Sequence, residues 1–193
     1  MGAADGRLRA VRAVLQASAA LHQATIAACD EAIAEAGRLL AESLGSGGQV
    51  LAFGNGGSAA DAQHFVAELV GRYEAGAMRP AWPALSLAAD PSVTTALAND
   101  LGYAEVFVRQ IEAFGRAGDV ALGITTSGTS ENVRRGLAEA RARGLRTIAL
   151  TGQTNQPLPV DVQIAVPERR TPRVQEVHGT VLHILCELVE EAL

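Results

Sequence analysis

Along the chain, short apolar runs alternate with longer stretches in which apolar residues recur every three or four positions. The short runs lie at residues 49–53, 84–87, 119–125, 146–150 and 162–166, and their length and bounding Gly, Pro and Asp residues predict strands. The helical period marks residues 59–73 through Phe65, Leu69 and Tyr73, residues 106–114, the stretch opened by Ser130 through Val133, Leu137 and Ala140, and residues 173–190. Asp90-Pro91-Ser92 reads as a helix start with Asp90 as cap, closed by Asn99-Asp100-Leu101-Gly102. Residues 8–43 are also helical in spacing, but the phase breaks around residues 21–23, which predicts two helices before Ser46-Gly47-Gly48 ends the pattern. Strands alternating with helices imply right-handed crossovers and an α/β fold, with a roughly five-stranded parallel sheet covered on both faces. The expected organisation is an N-terminal helical segment, 1–45, packed on a single α/β domain, 46–193.

Two of the strand-to-helix turns have a composition suited to anions. The first, GNGGSAADAQHFVAE from Gly54 to Glu68, follows a strand and opens a helix. Its glycines let the N–H groups of Asn55, Gly56, Gly57 and Ser58 converge without Cβ atoms in the way, beside the positive end of the helix. A loose dinucleotide fingerprint is present in Gly54, Gly56 and Ala59, with Glu74 twenty residues on. That fingerprint needs its acid at the end of a second strand, and here helical spacing runs straight up to Glu74, so a sugar phosphate fits better. The second turn, Thr125-Thr126-Ser127-Gly128-Thr129-Ser130, puts more hydroxyls at a helix start than capping requires. Both turns fall at carboxyl ends of strands, where such sheets bind ligands, and can line one pocket.

Composition narrows the chemistry. All 16 basic residues of the 193 are arginine, so Schiff-base, pyridoxal-phosphate and Walker-lysine chemistry are excluded. The net charge of −5 and the scattered arginines give no footprint for nucleic acid or an anionic membrane. Cys29 and Cys186 stand in helical patterns without metal spacing and read as core residues of a reducing compartment. With no export segment or membrane span in the pattern, a cytoplasmic protein is expected.

His64 and Glu68 are four apart, hence neighbours on one helix face, and could share a divalent ion. Gln175 and His183 on the last helix would complete an N/O ligand set. Eight helical residues span about 12 Å, so those two must lean together or belong to a site shared between chains, and an oligomer is expected. Two phosphate-suited turns, an acid, histidines and no lysine suggest proton transfer on a sugar phosphate. Aldose–ketose interconversion needs a base to move a carbon-bound proton between adjacent carbons and an acid or metal to stabilise the enediol oxygen. Glu68 and His183 form the natural pair. The Asn99-Asp100 turn is either helix punctuation or a holder of sugar hydroxyls.

GNGGSAADAQHF, Glu68, Gly71-Arg72, Ala98-Asn99-Asp100-x-Gly-Tyr, Gly118-Asp119-Val120, the Thr-Ser-Gly-x-Ser loop, Thr171-Pro172-Arg173-Val174-Gln175-Glu176 and His183-Ile184-Leu185 closely resemble the phosphoheptose isomerases, of the sugar isomerase (SIS) fold. The resemblance runs from about Ala41 to the end of the chain. It implies a homotetramer that converts sedoheptulose 7-phosphate to D-glycero-D-manno-heptose 7-phosphate. It also implies substrate contacts from Asn55, Gly56, Gly57, Ser58, Asn99, Asp100 and Gln175, and phosphate held by Thr125, Thr126, Ser127 and Ser130. Zinc would sit on His64, Glu68, Gln175 and His183, with Glu68 and His183 as acid/base residues. Two departures stand against the pattern: Thr125 replaces a customary serine, and residues 151–160 look shortened and lack paired glycines. Alternatives within the fold are an isomerase of another sugar phosphate and a non-catalytic tetramer that binds a replication initiator; such regulators lack the acid matching Glu68 and the histidine matching His183, both of which this chain retains.

Overall fold

The computed structural model describes residues 3–74, 76 and 79–193. Five parallel strands, β1 (Val50–Gly54), β2 (Ala84–Ser86), β3 (Val120–Thr125), β4 (Arg146–Thr151) and β5 (Val162–Ala165), form a sheet of order β2-β1-β3-β4-β5. Val50 pairs with Ala84 on one side and Val120 on the other, and the register continues through Val120 with Arg146 and Ile148 with Val162. Strands buried on both faces need apolar residues at every position, and β1 and β3 are buried throughout. Helix α1 (Ala3–Gly45), α2 (Gly57–Val70) and α6 (Thr171–Ala192) cover one face over Val50, Ala52, Leu122, Ile148 and Ile164. Helices α4 (Val106–Phe114) and α5 (Glu131–Ala142) cover the other over Leu51, Phe53, Ala121 and Ala149, with α3 (Pro91–Leu101) beside them. The expected α/β fold and parallel sheet are observed.

Two expectations need correction. Residues 8–43 form one continuous helix, not two. No Gly or Pro stops it at residues 21–23, and the change of phase marks a change of surroundings. Apart from the half-exposed Ser18, side chains from Asp5 to Ala20 are exposed, whereas Leu21, Thr25, Cys29, Ile33, Ala36 and Leu40 are buried against the body. His22 links the two regimes, its ring nitrogens lying 2.8 Å from Ser18 O and 2.9 Å from Thr180 Oγ1 on α6. Helix α2, in turn, ends at Val70 rather than running through Tyr73. Gly71 N closes its last turn on Ala67 O, and the chain then turns away.

Candidate active site

The strand order reverses direction between β1 and β3, and the crevice at such a switch point, beyond the carboxyl ends of the strands, is where doubly wound sheets take ligands. A cavity of about 280 Å³ lies there, lined by Asn55, Gly57 and Ser58 after β1, Ile124 and Thr125 at the end of β3, Thr126 and Ser130 after it, and Thr171 and Gln175 from α6. Three larger cavities lie elsewhere: about 450 Å³ between α1 and the end of α6 and about 320 Å³ between α3 and α4, both with mainly apolar walls, and about 340 Å³ at the amino ends of β1 and β3, where Gln49 and Asp119 in its lining already pair with each other.

The α2, α5 and α6 N-termini all meet this cavity, and none is capped by the side chain of its N-cap residue, although Asn132 Oδ1 accepts from Val133 N of α5 at 3.0 Å. By contrast, Asp90 accepts from Ser92 N at 2.8 Å and Val93 N at 3.1 Å, capping α3 as its sequence predicts. Uncapped helix starts leave N–H donors and positive dipole ends available to an anion. Gly56 takes φ +56°, a conformation that favours glycine. At Gly57 a Cβ would fall 2.3 Å from Gln175 Nε2, so the missing side chain is what lets α6 close on the turn.

Hydroxyls furnish the second wall. Thr125 Oγ1 lies 3.0 Å from Ser130 Oγ and Thr126 Oγ1 lies 3.3 Å from Thr171 Oγ1, while Ser127, in the same loop but not in the cavity lining, accepts from Thr129 N at 3.2 Å. Asn55 is fixed by partners that local patterning does not reveal. Its amide exchanges two 2.9 Å hydrogen bonds with the buried Asn132, and its Oδ1 accepts from Tyr103 Oη at 2.8 Å. The one sequence signal for Asn132 is a polar residue immediately before the apolar face of α5 that begins at Val133.

Residues 151–160 pack against the hydroxyl-rich loop, with Thr154 where a Cβ on Gly128 would be 3.0 Å away. Asn99 and Asp100 are exposed at the end of α3, where Asn99 Nδ2 donates to Asp100 Oδ1 at 2.7 Å, and they do not line the cavity.

His64, Glu68 and His183 gather in the groove between α2 and α6. His64 Nε2 lies 3.0 Å from Glu68 Oε1, and the His64 and His183 rings meet edge-on at 5.1 Å. Asp61, one turn earlier on α2, has its carboxyl pKa raised by burial, against the opposing pull of His64. Gln175 stands apart from the histidines, against Gly57. Among the described residues no three His, Cys, Asp or Glu side chains converge as a metal cluster. The donor types gathered in this groove, two imidazoles and a carboxylate, are nonetheless those that suit zinc.

The SIS domain family model matches residues 15–152. The chain is 53% identical over 163 residues to the phosphoheptose isomerase of Geotalea daltonii, covering 83% of this chain and 84% of the relative. To that of Aquifex aeolicus it is 48% identical over 189 residues, covering 95% and 96%. Among solved structures it is similar to a phosphoheptose isomerase from Neisseria gonorrhoeae, with a TM-score of 0.88 and 38% identity over 95% of this chain and 98% of that one. The sheet with its switch-point cavity and these likenesses agree: the chain belongs to the SIS-domain family and, within it, to the phosphoheptose isomerases.

Proposed function

We infer that the protein interconverts sedoheptulose 7-phosphate and D-glycero-D-manno-heptose 7-phosphate. The observation that carries this is the pairing of a hydroxyl-lined cavity among three uncapped helix starts with a carboxylate–imidazole cluster in the adjoining groove, in a chain of this family. Each relative described above is named a phosphoheptose isomerase, which favours the enzyme over an initiator-binding role.

In this reading Thr125, Thr126, Ser127 and Ser130 hold the phosphate with N–H and O–H dipoles, and Asn55, Gly56, Gly57, Ser58 and Gln175 orient the sugar. Asn99 and Asp100 would reach sugar hydroxyls from the rim. Glu68 and His183 divide the acid and base roles. A proton leaves the carbon beside the carbonyl, the enediol forms, and the proton returns to the neighbouring carbon, so that carbonyl and hydroxyl exchange places without an external oxidant. Zinc would be held by His64, Glu68, Gln175 and His183, and when bound would polarise the carbonyl oxygen. Gln175 and His183 lie about 12 Å apart along α6; a second chain completing each site, in a homotetramer, answers that separation.

Incubating the purified protein with sedoheptulose 7-phosphate, with and without added zinc, tests the reading. Aldose phosphate should form, and Glu68→Gln should lower turnover by a factor on the order of 10² or more. A folded protein with zinc that makes no aldose phosphate would overturn it.

A further inference from the structure

The segment between α2 and β2 carries a cluster that the chemistry above does not use. Glu68 lies in the last turn of α2, where backbone carbonyls have no partner within the helix. Two of them are taken by Arg79, whose Nη2 donates to Glu68 O at 2.6 Å and whose Nη1 donates to Leu69 O at 2.9 Å. The same guanidinium donates through Nε to Glu190 Oε1 on α6 at 2.8 Å and lies 3.6 Å from the Trp82 ring centroid. Arg79 and Glu190 expose only 12% and 19% of their side chains. Tyr73, from the same segment, donates its hydroxyl to Glu187 Oε1 at 2.8 Å, one turn before Glu190, and its ring lies 5.6 Å from that of His183.

We propose that Arg79 is a positioning residue for the isomerase reaction: it ties the backbone of Glu68 on α2 to Glu190 on α6 and so fixes the Glu68 carboxylate relative to His183. This rests on the isomerase function proposed above. A planar fork is required, because three acceptors in different directions are met at once; a lysine ammonium is a point charge on a flexible stem and cannot hold the same three. Trp82 packs on the guanidinium and Tyr73 bonds to Glu187 beside His183, so that the last turn of α2 and the His183 region of α6 are held as one unit. The cavity suited to phosphate lies at the opposite end of α2 and touches none of these groups.

The test compares the wild type with Arg79→Met, Arg79→Lys and Glu190→Gln, using sedoheptulose 7-phosphate and the same substrate deuterated at the carbon that surrenders its proton. With Arg79→Met, kcat should fall on the order of ten- to a hundredfold while KM stays within about twofold. The deuterium isotope effect on kcat should rise, because proton transfer becomes more limiting. Arg79→Lys should recover part of the loss, and Glu190→Gln should show a smaller fall of the same kind. Unchanged kcat and isotope effect in folded variants would overturn the proposal. So would a fall in kcat that merely tracks lost thermal stability with the isotope effect unmoved. Should Arg79→Met fail to fold, the other two variants decide by the same criteria. A wild type without turnover overturns the isomerase function and this role with it, whereas an active wild type matched by its variants overturns only the role of Arg79.

Discussion

At Gly57 stability and function should separate cleanly. Its φ is not in the left-handed region, it begins a helix, and the atom a Cβ would strike is the end of a flexible glutamine side chain. Gly57→Ala is therefore expected to leave the unfolding free energy within about 1 kcal/mol of wild type. It should nevertheless displace Gln175 and lower kcat/KM by about tenfold or more, which denaturant titration and steady-state assays would read separately. His178 behaves in the opposite way, bearing on stability alone. It is fully buried on α6, neither ring nitrogen makes a well-aligned hydrogen bond, and burial drives its pKa down to about 4, against a weaker opposite pull from the Thr151 backbone. The unfolded chain takes up that proton near 6.5, so stability falls as pH drops through about 6.5 and stops falling from this cause near 4, by about 3 kcal/mol in all. In His178→Leu, chemical denaturation across that window should show a flatter decline. The sequence displayed the glycines, hydroxyls, His64, Glu68 and His183 because each sits in a local motif. Asn132 and Arg79 escaped it, and Tyr103 stood in a motif without a role, because their partners lie far along the chain, where neither period nor spacing points.

Among elements, the contrast between capped and uncapped helices yields a paired expectation. Asp90→Ala removes the cap of α3 and should cost about 1 kcal/mol of stability with KM unchanged. Thr126→Val removes a hydroxyl that meets, among the described side chains, the exposed Thr171, so stability should hold while KM rises by about tenfold. Differential scanning calorimetry and initial rates on both variants check the pair. Strands were legible because burial on both faces leaves uninterrupted apolar runs between turn residues, as in β3 and β4. Helix limits were less so. The end of α2 is set by Gly71 together with a guanidinium eight residues further on, and the continuity of α1 is hidden by a phase shift that reflects packing rather than backbone.

Over the whole molecule, α1 is the element that the body of one chain leaves unfinished. Its 43 residues run roughly 65 Å, and Leu8, Val11, Val14 and Leu15 on its first turns are 46–65% exposed. A second copy of the chain is the natural cover for such a stripe in the proposed tetramer. Leu15→Glu should then lower the mass measured by light scattering and, if sites are completed between chains, lower turnover with it. The sheet order has a further consequence. By opening the crevice between β1 and β3, it surrounds the cavity with residues that carry no charge at any ordinary pH, since every residue lining it is Asn, Gln, Gly, Ser, Thr or Ile. In the proposed function, the group there whose charge changes near neutrality would be the substrate's own phosphate, with its second ionisation near pH 6. With the phosphate seated as proposed, the pH dependence of affinity at that end of the site should follow the substrate's own titration rather than that of any residue lining it.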